Sequence, residues 1–300
     1  MTKPTEDVRQ QVRSTTARSR ELGAELRRVR KRAGRGGAAA CKEIEWSQAK
    51  LSKLESGRRG TSEADIATLL GLYRADKATR ARILDLFREP ERDHFTRAHG
   101  DEPPDEVLPV RMHEALARTL HCYEPLVVPR LLQTESYAMA LLDPAVVTGD
   151  HHAAWLVSHT DRQKVLGGAS APETVIFLHE TALSLVVGDA DVMHDQCMNL
   201  GFLADRARLS LRVVPLSAGG CAALRHPCTR LTFTAPLEPL VYTEIETATV
   251  FSDHHRVTAA VQRKFETLNE VALDALRSRA AIGHWADVHG RVARPDGDAT

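Results

Sequence analysis

The chain has 300 residues, of which 43% are hydrophobic and 27% charged, as in an ordinary folded protein long enough for two domains. No apolar run approaches the roughly 18 residues that a membrane span needs, and five scattered cysteines do not form a disulfide framework. The net charge of zero hides a division: residues 1–60 carry 16 Lys and Arg against 7 Asp and Glu. We therefore expect a cytoplasmic protein whose basic end binds a polyanion, although a solvated basic face would give the same sum.

The basic region begins with a predicted amphipathic helix, "SRELGAELRRVRKRAG". Leu22, Leu26, Val29 and Ala33 recur at helical spacing and predict one apolar stripe. The glycines at 36 and 37 end this helix, and a short second helix, "AAACKEIE", follows.

A third helix is predicted within "WSQAKLSKLESGRRG". Ser47 is a good N-cap, and Gly57 is a good terminator because glycine reaches positive φ without strain. Leu51 and Leu54 face inward, with Trp46 packed at the start of the apolar side. The side chains left to face outward are Gln48, Ala49, Lys50 and Lys53.

Small and polar side chains on one helix face are suited to reading base edges in the major groove of DNA. Gln48, Ala49 and Lys53 fit this role. Phosphate contacts are expected from the helix N-terminus and its surrounding groups; the candidates are Ser47, Lys50, Arg58 and Arg59. Two further helices, capped by Ser62 and Asp76, complete a predicted five-helix bundle.

This order of segments resembles the lambda repressor and Cro class of helix-turn-helix regulators, also called the XRE type. The resemblance implies that the third helix is the recognition helix, with Gln48, Ala49 and Lys53 at the base-reading positions. The chain departs from the family at Gly37 and Ala40, where a Gln and a Leu are usual, and at Glu45, where the turn has Gly. A left-handed Glu45 would cost roughly 1 kcal/mol, and the second helix would be a weak scaffold.

After a polar, Pro-rich stretch, the remaining sequence predicts an α+β domain. "RMHEALARTLHCYE", "LLQTESYAMALL", a segment ending in "HTDRQKVL" and "VMHDQCMNLGFLADRA" are predicted helices. "ETVIFLH", "LSLRVVPL", "CTRLTFTA", "PLVYTEI" and "ATVFS" are predicted strands of a small, mainly antiparallel sheet. A helix pair from about His255 to His284 closes the domain.

The ordered segments "YEPLVVPRLLQTESYAMALL", "DRQKVL", "HETAL", "VVPLSAGG" and "VYTEI" resemble the C-terminal domain of actinobacterial antitoxin-like (Scr-type) regulators. The resemblance implies a small companion protein as a partner. Arg130 is a departure, because the family usually has Gly there.

The sequence offers little evidence for metal, cofactor or enzyme chemistry. The pairs His194 with Cys197 and His226 with Cys228 lack the spacing of a zinc module, and phosphate-loop, nucleophile-elbow and zinc-protease motifs are not found. We therefore predict no enzyme activity and no cofactor. Six polar residues inside otherwise apolar segments are candidates for a ligand or partner site: Gln133, Tyr137, Arg162, Gln163, Glu180 and Glu244. The alternative is that they cap helices or pair with each other in the core.

The predicted organisation is a flexible basic arm at residues 1–16, an all-α helix-turn-helix domain at 17–88, a linker at 89–108, the α+β domain at 109–285 and a disordered tail at 286–300. The predicted function is a homodimeric, sequence-specific regulator of transcription that binds operator DNA and senses a small ligand or protein. The alternative is an antitoxin-like interaction partner with weak or no specific DNA binding.

Overall fold

The structure, a computed structural model, describes residues 15–58, 61–90, 92–99, 108–142 and 151–294 (backbone alone for 151–154). Polar side chains cap the N-termini of four of the five helices in residues 17–88. Thr16, Ser47, Ser62 and Asp76 each accept a hydrogen bond from the backbone N–H three residues on. These caps open α1 (Ala17–Arg32), α3 (Gln48–Glu55), α4 (Glu63–Leu72) and α5 (Lys77–Arg88), whereas α2 (Gly37–Glu43) has no side-chain cap. The predicted caps at 47, 62 and 76 are confirmed.

The five helices pack around one apolar core, and the residues up to 91 together with Ala235–Glu238 form the first of two units. Leu26, Leu51 and Leu54 are buried in this core, and Trp46 packs against it, as predicted. Ala33 is exposed, because α1 ends one residue before it and Ala33 is the C-cap. Most of the predicted basic arm, residues 1–14, lies outside the described residues.

The second unit contains a seven-stranded sheet in the order β1-β7-β6-β5-β2-β3-β4 among the described residues. Its strands are β1 (Phe95–Ala98), β2 (Thr119–Glu124), β3 (Glu173–His179), β4 (Leu209–Val214), β5 (Cys228–Thr232), β6 (Leu240–Ile245) and β7 (Ala248–Ser252). Its helices are α6 (Leu108–Leu116), α7 (Glu135–Leu141), α8 (His151–Gln163), α9 (Thr181–Ser184), α10 (Ala190–Leu203), α11 (His255–Val271) and α12 (Ala275–Ala293).

The sheet is larger than predicted and mixed. β2 and β3 pair in parallel, as do β3 and β4, whereas the pairs from β1 through β7, β6 and β5 to β2 are antiparallel. The helix–sheet character of the predicted α+β domain is confirmed, but the sheet has more strands than predicted and includes parallel pairs.

Strand β2 replaces the second half of a predicted helix. Leu120 and Cys122 are buried, and the strand lies between β3 and β5. Tyr123, on the opposite face, packs with Phe265 of α11 in a second apolar core. Burial on both faces of this central strand overrides the helical spacing that the sequence shows here.

Two boundary predictions need correction. β1 forms within the predicted linker, where Phe95 stacks on Phe251 with ring centroids 5.2 Å apart. Helix α12 continues to Ala293, so residues 286–293 of the predicted tail are helical, and Ala286 and His289 are buried. Among the described helices, none is long and apolar enough to cross a membrane.

Candidate nucleic-acid interface

The position of α3 is fixed by its close approach to α1. A Cβ atom built on Gly23 would lie 2.6 Å from the carbonyl oxygen of Leu54, so the α1 backbone runs directly over the end of α3. Gly57 ends α3 with φ of 70°, and a Cβ there would lie 2.5 Å from the carbonyl oxygen of Ser19. The two glycines therefore allow the helices to touch through their backbones.

A buried ion pair joins the same two helices. Arg30 donates from Nε to Glu55 Oε1 at 2.6 Å and from Nη2 to Glu55 Oε2 at 2.8 Å. These hydrogen bonds, more than the opposing effect of burial, raise the pKa of Arg30 above its ordinary value. Arg27 adds a third donor to Glu55 at 3.2 Å. Glu55 is only 6% exposed, and its charge-assisted hydrogen bonds to α1 hold α3 in a fixed orientation.

The three predicted base-reading residues lie on the exposed side of α3. Gln48, Ala49 and Lys53 are all exposed, and no hydrogen bond or ion pair of the described residues uses the Gln48 or Lys53 side chain. Arg58 is also exposed just beyond the helix, while Arg59 lies outside the described residues. Ser47 accepts the Lys50 N–H at 3.1 Å, so its own hydroxyl hydrogen is left to donate.

Lys50 has different partners from the predicted phosphate. Its Nζ lies 2.7 Å from Asp65 Oδ1 of α4 and 3.5 Å from the centroid of the Trp46 ring. The hydrogen bond from Lys50 lowers the pKa of Asp65. Lys50 is half-buried, and its ion pair with Asp65 connects α3 to α4. The structure thus gives Lys50 a supporting position.

Sequence reasoning missed the contribution of α1. Gly23 and Arg30 lie on the α1 face that meets α3, and neither was predicted to support the interface. The available signal was Glu55, an acidic residue on a helix otherwise surrounded by cations. Glu45 is left-handed with φ of 53°, as the family comparison implied.

Four of the six candidate ligand-site residues meet in the second unit. Gln163 donates to the Gln133 carbonyl oxygen at 2.7 Å, and Arg162 donates to Glu244 at 2.8 and 2.9 Å. Arg162 also bonds Glu114 at 3.1 Å and is 5% exposed. Burial acts to raise the pKa of Glu244, but Arg162 holds it below its ordinary value.

The other two candidates have structural partners. The Tyr137 hydroxyl accepts the Val128 N–H at 3.1 Å, next to Gln133, which donates to the Val128 carbonyl oxygen at 2.7 Å. Glu180 accepts from the Leu216 N–H at 2.8 Å and from Trp285 Nε1 at 3.2 Å. These contacts do not join Glu180 to Arg162 or Glu244, so the structure does not bring it together with the other candidates.

Two residues beside Arg162 were not predicted. Glu124 ends β2, and burial followed by the nearby Glu244 charge raises its pKa to about 8. His159 stacks on Trp155 with ring centroids 4.9 Å apart, and burial with the charges of Arg130 and Arg162 lowers its pKa to about 4. Together with Arg162 and Glu244, these groups form what we call the Arg162 cluster. Shifted pKa values of this kind are common at functional sites.

Two protein-family models match the chain, one in each unit. A family model described as a domain of unknown function (DUF5753) matches residues 109–284, more than half of the chain. The chain belongs to the DUF5753 family. A second model, described as a helix-turn-helix domain, matches residues 21–83. This match supports the expected XRE-like arrangement and indicates DNA binding and regulation of transcription.

Among solved structures, the DUF5753 chain has weak similarity to that of TrmBL2, an archaeal chromatin protein with a novel mode of DNA binding. The identity is 14% and the TM-score 0.30, over 71% of this chain and 66% of that one, slightly under two thirds of its length. This likeness is too low to carry an argument about fold or function. No curated protein matched.

Proposed function

We propose that the chain is a sequence-specific DNA-binding regulator that reads the major groove with α3. The observation that carries the proposal is that the side chains of Gln48 and Lys53 are exposed and make no hydrogen bond or ion pair with the described residues. They lie on a helix that Glu55 and Gly57 fix against α1. An amide of this kind pairs with adenine and an ammonium with guanine, while Ala49 leaves room for close approach.

The phosphate contacts in this proposal come from Ser47, Arg58 and Arg59. The Ser47 hydroxyl can donate to a phosphate oxygen while it caps α3, and Arg58 is exposed beside the end of the helix. Lys50 acts indirectly, because its ion pair with Asp65 orients α4 against α3. Such contacts set the register on DNA but carry no sequence information.

The active species in this proposal is a homodimer. One eight-residue recognition helix reads few base pairs, and two half-sites about 34 Å apart would supply the remaining specificity. The second unit would sense a small ligand or protein through the Arg162 cluster. A charged group that binds there would compete for the hydrogen bonds that Arg162 donates to Glu114 and Glu244.

A second candidate function is binding of a small companion protein, as in antitoxin-like actinobacterial regulators. The observation that favours it is the apolar, exposed side of α10, where Met198 is 43% and Phe202 70% exposed four residues apart. Such neighbours form one face of a helix, and large exposed apolar groups are typical of protein interfaces.

The test is binding of the full chain to its own upstream DNA and to a scrambled duplex at about 50 and 200 mM salt. The preference for its own DNA should persist at the higher salt, because base contacts do not release counterions, although the affinity for both duplexes falls. We expect Lys53→Ala to lose about 1–3 kcal/mol of binding free energy and some sequence preference. Arg58→Ala should weaken binding to both duplexes alike and reduce the salt slope by about one unit.

Lys164→Ala is the matched control, since Lys164 is an exposed lysine of the second unit paired with Asp161. It should leave both affinity and preference unchanged. Wild-type affinity and selectivity in Lys53→Ala would show that α3 is not the reading helix. Sequence-blind binding that disappears at 200 mM salt would make the companion-protein function the leading one.

A further inference from the structure

A cavity of about 380 Å³ opens between α1, α2 and α3 in the first unit. Its inner wall is apolar, formed by the buried residues Cys41 and Leu51. Its α2 side is formed by Gly37 and Ala38, and Gly37 stands where a Gln is usual in this class of domain. The short side chains of α2 therefore leave space next to the recognition helix.

Cations dominate the rim of this cavity. Arg27, Arg30 and Lys31 of α1 line it, against a single carboxylate, Glu55. Arg30 and Glu55 neutralise each other through their paired hydrogen bonds. Arg27, with 48% of its side chain exposed, uses only Nε for Glu55, and the Lys31 ammonium has no partner among the described residues. The rim thus keeps about two positive charges available to an anion.

The recognition helix supplies uncharged polar groups to the same cavity. Gln48 and Ser52 line it from α3, one helical turn apart, and their side chains make no hydrogen bond within the described part of the chain. An amide and a hydroxyl can donate to carboxylate or phosphate oxygens. The cavity therefore combines an apolar wall, a Lys31 that is unpaired within the described part of the chain, the remaining N–H donors of Arg27, and two uncharged donors.

The volume decides what kind of anion fits. Pockets for small organic ligands are typically about 300–1,000 Å³, lined by apolar groups with a few placed polar ones. A single phosphate group of the DNA backbone would leave most of the 380 Å³ unfilled. An organic acid with an apolar body would fill more of this volume, with its anionic group at Arg27 and Lys31.

We propose that this cavity binds a small organic acid, with its carboxylate or phosphate group at Arg27 and Lys31 and its apolar body against Cys41 and Leu51. Because Gln48 would then be occupied, the acid and the operator exclude each other. The exclusion rests on the proposed DNA-reading function, whereas binding of the acid does not. The small residues of α2 have a use in this proposal, since they make the room.

The first experiment measures acid binding to the full chain without DNA. Benzoate and phenyl phosphate are the probes, and benzamide is their neutral analogue, each titrated by calorimetry or ligand-observed NMR. We expect both acids to bind and benzamide to bind at least fivefold more weakly. Lys31→Ala should weaken acid binding about fivefold or more, whereas Arg32→Ala, a change of the adjacent exposed cation outside the lining, should not.

The second pair of variants fills the cavity. Ala38 and Ala39 are exposed neighbours on α2, and only Ala38 lines the cavity. Ala38→Phe should abolish acid binding, while Ala39→Phe should bind as wild type does. Circular dichroism and thermal unfolding of all four variants check that each remains folded. Equal acid binding in Ala38→Phe and Ala39→Phe, or equal binding of benzamide and benzoate, would overturn the proposal.

A third measurement separates the proposal from DNA binding itself. Benzoate or phenyl phosphate should lower operator affinity in wild type and in Ala39→Phe but not in Ala38→Phe, at constant ionic strength. If neither acid binds while Lys31→Ala and Ala38→Phe weaken DNA binding, the cavity holds a backbone phosphate and the proposal fails. If the chain binds no DNA, the acid titrations still decide whether the cavity is a ligand site.

Discussion

Single residues carry measurable strain in this fold, and Glu45 is the clearest case. It adopts φ of 53° in the turn between α2 and α3, where the backbone N–H of Trp46 bonds the Cys41 carbonyl oxygen at 2.9 Å. A non-glycine residue in this left-handed region costs about 1–2 kcal/mol, because Cβ crowds the following carbonyl. The turn that orients the recognition helix is therefore formed against the preference of its own residue.

Replacing this residue should stabilise the first unit. Glu45→Gly removes the strain but gives the unfolded chain more freedom, so we expect a net gain of about 0.5–1 kcal/mol in the free energy of unfolding. Urea unfolding followed by circular dichroism measures it. Lys42→Gly, within α2, is the control and should lose about 1 kcal/mol. A loss in Glu45→Gly would mean that the Glu45 side chain stabilises the turn.

Glu124 is a second residue whose environment is unfavourable, because it opposes ionisation of the carboxyl group. Burial, and then the nearby Glu244, raise its pKa from 4.5 to about 8. A carboxyl with a raised pKa in the folded state binds more protons folded than unfolded between these two values. Its contribution to stability is present at low pH and is lost as the pH rises through about 8.

The stability of the second unit should accordingly fall by about 1–2 kcal/mol between pH 6.5 and 8.5. Glu124→Gln should remove this fall and be more stable than wild type at pH 8.5. His159 adds only a small opposite change, since its pKa is lowered from 6.5 to about 4 and nearly all of its effect on stability lies below this window. Thermal unfolding at both pH values measures the difference, with Glu173→Gln at the exposed start of β3 as control. An unchanged pH dependence in Glu124→Gln would contradict the assignment.

At the scale of elements, the interface depends on how closely α1 and α3 approach. Besides the carbonyl of Leu54, a Cβ at Gly23 would meet the carbonyl carbon and oxygen of Glu55 at 2.8 and 2.7 Å. These atoms belong to the backbone, so no side chain can move aside. The helices would have to separate, and the Arg30–Glu55 ion pair between them would lengthen.

Gly23→Ala should therefore destabilise the first unit by about 1–3 kcal/mol or more and weaken DNA binding. Gly71→Ala is a matched control, because Gly71 is also within a helix but its Cβ would meet no atom within 4 Å. That variant should gain about 0.5–1 kcal/mol from helix propensity. Both effects appear in urea unfolding. Equal stability of the two variants would show that α1 and α3 are not packed this closely.

The elements that the sequence predicts well are those set by local chemistry. Helix caps and terminators act within one helical turn, so they can be predicted from neighbouring residues. This holds for the caps Ser47, Ser62 and Asp76 and for Gly57 at the end of α3. β2 was mistaken for helix because its place between β3 and β5 depends on residues more than 40 positions away. Its burial on both faces appears only when the sheet is assembled.

The candidate sites divide in the same way. The exposed positions Gln48 and Lys53 follow from helical periodicity, which one short segment contains. The partners of Lys50 and Glu180 do not, because Asp65 and Trp285 come from other elements. The only sign of the cavity in the sequence was the missing bulk at Gly37, and its cationic rim comes from α1.

At the scale of the whole molecule, charge and cores divide along the chain together. Residues 1–60 carry an excess of nine positive charges, and residues 61–300 carry 24 Lys and Arg against 33 Asp and Glu. The apolar core around Leu26 and Ile66 belongs to the first unit, and that around Tyr123 and Phe265 to the second. Each unit thus has its own core, and the basic one carries the recognition helix.

Two cores predict two unfolding transitions in calorimetry of the full chain. Phe265 is 5% exposed and packs on Phe177 with ring centroids 6.0 Å apart. Phe265→Ala should remove about 3–5 kcal/mol from the second unit and lower its transition by roughly 10 °C. Gly23→Ala should lower only the transition of the first unit, and operator DNA should raise only that transition, because a ligand stabilises the unit that binds it. A single transition moved equally by both variants would mean that the two units unfold cooperatively. An effector that binds the second unit would then also change the stability of the unit that contains the recognition helix.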